Sequence, residues 1–244
     1  NNKIMKDLHS HLLFGIDDGS KSLDESICLL KKMQEQNITD LICTPHYIEN
    51  SKYVCNNEDK LKKIKKLKEK IQKENINIYL GNELFITPNV VDLINKKEVR
   101  TLNNSRYILF EFPMNNIYLN TKEIIKRMIS NGYIPILAHP ERYPIFQKNP
   151  EKIEEYLQMG VFLQGNMTSL FGKYGWNAKK TIKIYIKKGW ISFLGSDTHH
   201  EFNISYDKLE KKLHKLNKDK EYIDKILYKN FDRVINNEDI QIVK

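Results

Sequence analysis

Short apolar runs of strand length alternate with longer segments of helical period through most of this chain, and that alternation limits the fold more than any single motif. Strands are expected over residues 4–13, 40–46, 76–84, 107–112, 133–139, 161–165 and 190–196. Between them the spacing predicts helices over 22–37, 58–74, 87–95, 121–131, 150–159 and 177–188, and a further pair, 206–216 and 220–228, follows the last strand. Asn37, Asn131–Gly132, Gly160 and Gly189 punctuate the helix exits, as residues that tolerate a left-handed cap do. Seven strand–helix units with no linker or shift in composition point to a parallel sheet in one domain over 1–244. Seven units in 244 residues suit a closed or nearly closed (β/α) barrel. A doubly wound open sheet is the alternative that periodicity leaves standing.

Composition narrows the class. With 40% hydrophobic residues and seven prolines the chain can bury a core, which excludes disorder. No apolar run approaches the ~18–20 residues of a membrane span. The first residues reach Asp7, His9 and His11 before any long apolar stretch, so they do not read as a signal peptide. Cys28, Cys43 and Cys55 form no CxxC pair and no even framework, which fits a reduced, cytoplasmic protein. The net charge of +9 invites a nucleic-acid or membrane partner. Its densest stretch, residues 60–73, carries Leu61, Ile64, Leu67 and Ile71 at helical spacing. A helix docking that stripe on a core with its lysines in water accounts for the charge, so neither partner is expected. Oligomeric state is not legible.

In parallel (β/α) architectures chemistry collects at the carboxyl ends of the strands. Here the first strand ends in His9-Ser10-His11, followed by Asp17-Asp18-Gly19. The second ends in Thr44-Pro45-His46, the third in Gly81-Asn82-Glu83 and the fourth in Glu111. The fifth ends in His139-Pro140-Glu141-Arg142 and the seventh in Ser196-Asp197-Thr198-His199-His200. Only the sixth, closing on Gln164-Gly165-Asn166, lacks an ionisable residue. One His or Glu at a strand end is ordinarily a surface or hydrogen-bonded group. Imidazoles and carboxylates at nearly every strand end are a site, because unpaired carboxylates would repel across a barrel mouth.

The imidazoles are His9, His11, His46, His139 and His199, and the carboxylates are Asp18, Glu83, Glu111 and Asp197. This mixture suits Zn, Mn or Fe better than Ca or Mg. One ion needs four to six ligands, so nine groups imply two or three ions with bridging carboxylates. Such a cluster serves phosphoryl transfer, in which a metal-bridging hydroxide attacks phosphorus in line. Arg142, beside His139 in a proline-braced turn, offers a planar fork matched to a phosphate dianion. Cysteine-based phosphatase chemistry is excluded: the residues six after Cys28, Cys43 and Cys55 are Gln34, Glu49 and Leu61, none an arginine. No GxxxxGK[ST], GxGxxG or GxSxG occurs.

The collinear segments DLHSHLLFGIDDGS, TPHY, GNEL, ILFEFP, PILAHPER and GSDTHH resemble the PHP (polymerase and histidinol phosphatase) family. Within it they are most similar to the bacterial PHP-type protein-tyrosine phosphatases encoded with capsule and exopolysaccharide genes. The resemblance implies a distorted (β/α)7 TIM-like barrel and three divalent ions, commonly Mn, with Fe or Zn as alternatives. It implies hydrolysis of phosphotyrosine in a protein, such as the tail of a bacterial tyrosine kinase. Carried over by position, the ligands are His9, His11, Asp18, His46, Glu83, Glu111, His139, Asp197 and His199, and Arg142 holds the phosphate. His199 or a metal-bound water is a candidate acid for the leaving group. The chain departs from the family at Tyr47, where relatives often carry a second His. It also lacks the arginine that often follows SDxH, the first basic residue there being Lys208, and its sixth-strand segment QGNMTSLFG is only loosely similar.

Three other functions compete. Another PHP phosphoesterase would act on histidinol phosphate or a nucleotide. A metal-dependent amidohydrolase would share the HxH opening but often uses a carboxylated lysine, and no ligating lysine is evident. A non-enzymatic basic binding protein would leave the strand ends empty and bind with strong salt sensitivity.

Overall fold

The computed structural model describes residues 4–72, 75–115, 117 and 119–240. Its strands are β1 (Met5–Ser10), β2 (Ile38–Cys43), β3 (His46–Tyr47), β4 (Asn77–Leu80), β5 (Glu83–Phe85), β6 (Tyr107–Glu111), β7 (Ile134–Ala138), β8 (Phe162–Asn166) and β9 (Phe193–Gly195). All pair in parallel, in the orders β1-β2-β4 and β3-β5-β6-β7-β8-β9. These nine strands make seven staves, because the second and third are each bent in two. Thr44-Pro45 interrupts one and Gly81-Asn82 the other. Pro45 has no amide to give to a ladder, yet pairing resumes past it: Gly81 N donates to Cys43 O (2.9 Å) and Glu83 N to Pro45 O (3.2 Å). The ring closes between the first and last staves, where Asp197 N donates to His9 O and His11 N to Thr198 O, both at 2.8 Å. Closure decides for a distorted (β/α)7 barrel over an open sheet.

The helices are α1 (Leu23–Glu35), α2 (Asn57–Lys70), α3 (Val90–Asn95), α4 (Thr121–Ser130), α5 (Pro144–Lys148), α6 (Glu154–Gln158), α7 (Gly175–Lys187), α8 (Tyr206–Leu216), α9 (Lys220–Asp224) and α10 (Asn230–Ile235). Three differ from the periodicity. A 3-10 turn, Pro150–Ile153, replaces the first half of the helix expected over 150–159. The last helix runs on through a π-helical turn, Lys225–Lys229, to Ile235. The five residues of α5 are too few for a period to show. The expected end of α2 at 74 lies outside the described residues.

The face of α2 is a correction. Leu61 is 46% exposed, whereas Lys60 is fully buried with Ile64, Leu67 and Ile71. The stripe therefore runs 60, 64, 67, 71: Ile64, Leu67 and Ile71 lie where the spacing puts them, and Lys60 takes the place expected of Leu61. Lys60 Nζ donates to Asn82 Oδ1 (2.7 Å), and Asn82 Nδ2 donates to Pro45 O (2.8 Å). This lysine ties together the two bends that aim His46 and Glu83. Burial pushes its ammonium down to about 8.

Alternation with period 2 separates two cores. Leu41, Cys43, Ile108, Phe110, Leu137, Leu163 and Leu194 face the helices. Ile42, Tyr107, Leu109, Ile136, Phe162 and Phe193 fill the barrel, whose amino-terminal end is plugged by Phe231 and Val234 of α10. Continuing along the inner face, the same period carries β6 to Glu111, β8 to Gln164 and Asn166, and the ninth strand to Asp197. The fold turns the barrel interior from apolar to polar toward the strands' carboxyl ends.

Candidate metal centre

Two strand exits hold their site residues in an uncommon backbone conformation. His139 (φ 36°, ψ 54°) and Asp197 (φ 51°) lie in the left-handed region, which costs a non-glycine residue about 1–3 kcal/mol and persists where surroundings enforce it. Glu141 supplies part of that enforcement, accepting from Asn166 N (2.9 Å) and Ser169 Oγ (2.6 Å). Behind Asp197, buried Asp7 accepts from Ser196 N (2.8 Å), Ser196 Oγ (2.6 Å) and His9 N (3.2 Å). Burial pushes the Asp7 carboxyl up to about 6. Two glycines allow the close approach. A Cβ on Gly19 would sit 2.1 Å from His11 O, and one on Gly195 would sit 2.7 Å from His9 Cβ.

All nine expected ligand residues meet at one mouth, and three overlapping groups there have ligand atoms within 4.8 Å of one another: His11, Asp18, His46 and His199; His9, His11 and Glu83; His46, Glu83 and Glu111. His139 and Asp197 adjoin them. His139 Nε2 lies 2.8 Å from Glu83 Oε1, and Asp197 Oδ1 lies 3.6 and 3.5 Å from the Nε2 atoms of His9 and His11.

The protons of these imidazoles are accounted for by their outer partners. His11 Nδ1 is 2.7 Å from Asp17 Oδ2, a carboxylate that only accepts. His9 Nδ1 is 2.8 Å from Gln164 Oε1. The orientation of that amide is fixed in turn: Gln164 Nε2 donates to Asn166 Oδ1 (2.9 Å), and Asn166 Nδ2 donates to Asp197 Oδ2 (2.8 Å). Both histidines therefore carry their proton on Nδ1 and present bare Nε2 lone pairs, which face each other at 3.0 Å. Glu83 Oε2 stands 3.1 and 3.2 Å from these nitrogens and 3.1 Å from His46 Nδ1, yet Glu83 Oε2 and His46 Nδ1 are buried without a hydrogen-bond partner. Converging acceptors of this kind need a cation between them, either protons on the imidazoles or a metal ion. The donor set, imidazole and carboxylate without thiolate, suits a first-row divalent ion.

Without such an ion the charges must balance internally. Burial alone would push Glu83 up, but the His9 and His46 imidazoles draw it well below the usual carboxylate range. Burial likewise opposes a charged His46, and the Glu83 carboxylate raises it to about 9. His199 donates from Nδ1 to the Asp197 carbonyl (3.0 Å) and turns Nε2 toward Asp18 Oδ1 (3.5 Å).

Arg142 reaches in from the turn after β7. Its Nη1 donates to Asp197 Oδ2 (2.8 Å) and its guanidinium lies 4.3 Å from the centre of the Tyr174 ring. Lys208 is exposed on α8.

Sequence reasoning missed the outer partners. Asp17, adjacent to Asp18, belongs to the site as an outer partner, and it also accepts from the amides of His46 and Gly19, both at 2.9 Å. Gln164 and Asn166 carry no charge, so the sixth strand looked empty. Their alternation on a strand whose inner face is otherwise apolar was the available signal.

A closed (β/α)7 barrel with this cluster at its carboxyl mouth has the architecture of the metal-dependent PHP phosphoesterases. The chain belongs to the family described as Capsular polysaccharide synthesis, CpsB/CapC, whose profile matches residues 5–236. The Staphylococcus aureus protein CapC is 38% identical over 198 residues, 80% of this chain and 77% of that protein. Tyrosine-protein phosphatase CpsB of Streptococcus pneumoniae is 30% identical over 204 residues, covering 80% and 83%. A crystal structure from work on YwqE of Bacillus subtilis and CpsB of Streptococcus pneumoniae, described as metal-dependent tyrosine phosphatases, superposes with a TM-score of 0.85 at 26% identity, over 98% of this chain and 100% of that one.

Proposed function

We propose that residues 1–244 form one phosphoesterase domain that hydrolyses phosphotyrosine in proteins, in the setting of capsule or exopolysaccharide synthesis. One observation carries the reading: bare imidazole and carboxylate atoms converge beside a half-buried arginine fork. The names of the relatives supply the substrate, and the tail of a bacterial tyrosine kinase is the partner proposed. We infer three divalent ions, with manganese first and iron or zinc as alternatives, held by His9, His11, Asp18, His46, Glu83, Glu111, His139, Asp197 and His199. When bound, such ions supply a nucleophile from water at neutral pH and Lewis acidity toward the phosphoryl oxygens.

The chain's own residues do the rest. Gln164 and Asp17 keep the His9 and His11 protons on the outer nitrogens. Arg142, clamped by Asp197 and Tyr174, presents its remaining N–H groups to phosphate oxygens without having to be ordered at the moment of reaction. The departing phenolate, with a pKa near ~10, needs less protonation than an alkoxide. No helix among the described residues is long and apolar enough to cross a membrane, and Cys28, Cys43 and Cys55 are free thiols; a cytoplasmic location accords with both. Assays on a phosphotyrosine peptide, histidinol phosphate and a nucleotide, with chelator and with Mn resupplied, test the reading. Metal-dependent turnover of the peptide above the others is expected; preference for histidinol phosphate or the nucleotide would replace it with the other phosphoesterase.

A further inference from the structure

Helix α7 begins at the mouth of the barrel, immediately after Tyr174, the ring against which Arg142 rests. Two residues on, Trp176 is 71% exposed. Positions 176, 180, 183 and 187 follow at spacings of four, three and four, so they share one face of the helix. Beyond Trp176 every one of them is a lysine. Lys179 flanks the stripe, and Lys173 and Lys212 stand at its upper end, over the rings of Tyr174 and Phe171. Phe171 is itself 38% exposed.

These charges are not neutralised locally. Lys188, just past the helix, pairs with Glu151 and Glu154, whereas among the described residues no carboxylate pairs with Lys179, Lys180, Lys183 or Lys187. Burial and then the proximity of Lys179 and Lys183 lower Lys212, a sign that the cluster repels itself. Exposed aromatics beside a one-signed stripe are features that a stable fold does not require. A polypeptide leaving the phosphate site over Tyr174 passes Trp176, two residues further along the chain.

We propose that the exposed face of α7 docks the phosphotyrosine polypeptide, with Trp176 covering its backbone and the lysine stripe selecting acidic residues beside the phosphotyrosine. This rests on the phosphatase reading above and adds a substrate class to it. The stripe is about 16 Å long at ~1.5 Å per helical residue, which an extended chain covers in about five residues. Acidic residues within that distance are the ones read.

The test compares phosphotyrosine peptides flanked on either side by five Glu, five Ala or five Lys, with p-nitrophenyl phosphate as a substrate too small to reach α7. For the Mn-loaded wild type, kcat/KM is expected to favour one Glu-flanked peptide over its Ala counterpart about tenfold at low salt, through KM, with the preference fading at high salt. The variant Lys179→Glu/Lys180→Glu/Lys183→Glu/Lys187→Glu should turn the preference toward the Lys-flanked peptide and leave p-nitrophenyl phosphate within twofold. Trp176→Ala should raise KM for every peptide. Equal turnover of Glu- and Ala-flanked peptides by the wild type overturns the proposal while leaving the phosphatase reading intact. So does a quadruple variant that keeps the acidic preference. Sedimentation with phosphatidylglycerol vesicles that the variant abolishes, with no peptide preference, reassigns the face to a membrane. No turnover of any phosphotyrosine substrate by metal-loaded protein removes the phosphatase reading, and this inference with it.

Discussion

The two ends of the barrel are built from the same strands in opposite chemistry. At the amino-terminal end the inward positions are Tyr107, Phe162 and Phe193, sealed by Phe231 and Val234. Two or four residues further along the same faces stand Glu111, Gln164, Asn166 and Asp197. At the apolar end the left-handed residues Asn37, Asn103 and Asn104 are of a type that tolerates that conformation, and the inward residues leave no polar side chain unpaired. The polar end holds two left-handed residues and buried acceptors without donors. Such a mouth is tolerable because the apolar end fixes the strands, and burying one large side chain there stabilises by about 1.5–3 kcal/mol. Function occupies the end that stability could not have chosen.

Perturbing either end should leave the other standing, and effects on turnover rank as follows. Replacing His9 and His11 together by Ala removes two bare nitrogens from one strand. Activity should vanish with at least one ion lost per chain, while circular dichroism and the melting transition persist; residual turnover above background would move the site elsewhere. Arg142→Ala should leave metal content unchanged and lower kcat/KM about a hundred- to a thousandfold, the effect of losing one preorganised charge contact. Arg142→Lys should recover part of it, since charge returns without the fork. An Ala variant within threefold of wild type would reduce Arg142 to a structural clamp on Asp197.

A smaller effect is expected from Gln164→Leu, which frees the His9 proton to choose either nitrogen. Metal affinity should fall about 10–100-fold, read by competition with a chelator, and saturating Mn should restore most of kcat. An unchanged affinity would show that the amide relay does not set the tautomer. Without metal, His46 raised to about 9 by Glu83 gives the melting temperature a particular pH dependence. A group whose folded pKa is raised contributes stability that is complete below its unfolded value, near ~6.5, and lost as pH rises through the folded one. Chelated protein should therefore melt lower at pH 9.5 than at pH 7, and metal should cancel the difference. Phe231→Ala, at the apolar end, should cost about 3–5 kcal/mol of stability with metal content and kcat unchanged where it remains folded.

What was legible in the sequence follows from what a one-dimensional pattern carries. Period 2 and period 3.6 located every stave and set its polar residues at one end, so the barrel and its charged cluster could be read directly. The bends at Pro45 and Gly81-Asn82 could not, because pairing continues through them by hydrogen bonds between distant residues. Lys60 was misplaced for the same reason: it is buried to serve Asn82, a partner that no helical period reveals. Asp17 and Asp18 are adjacent and chemically identical, and only the loop that Gly19 packs against His11 gives one of them the outer role. Gln164 and Asn166 act as hydrogen-bond orienters, which charge does not mark.

The central claim is that the bare nitrogens and carboxylates at the mouth exist to hold cations. Plasma spectrometry on purified protein, reloaded with Mn and freed of excess by gel filtration, measures it directly. The account predicts three ions per chain, with two after prolonged washing. Fewer than one transition-metal ion per chain, on protein shown by circular dichroism to be folded, would contradict it.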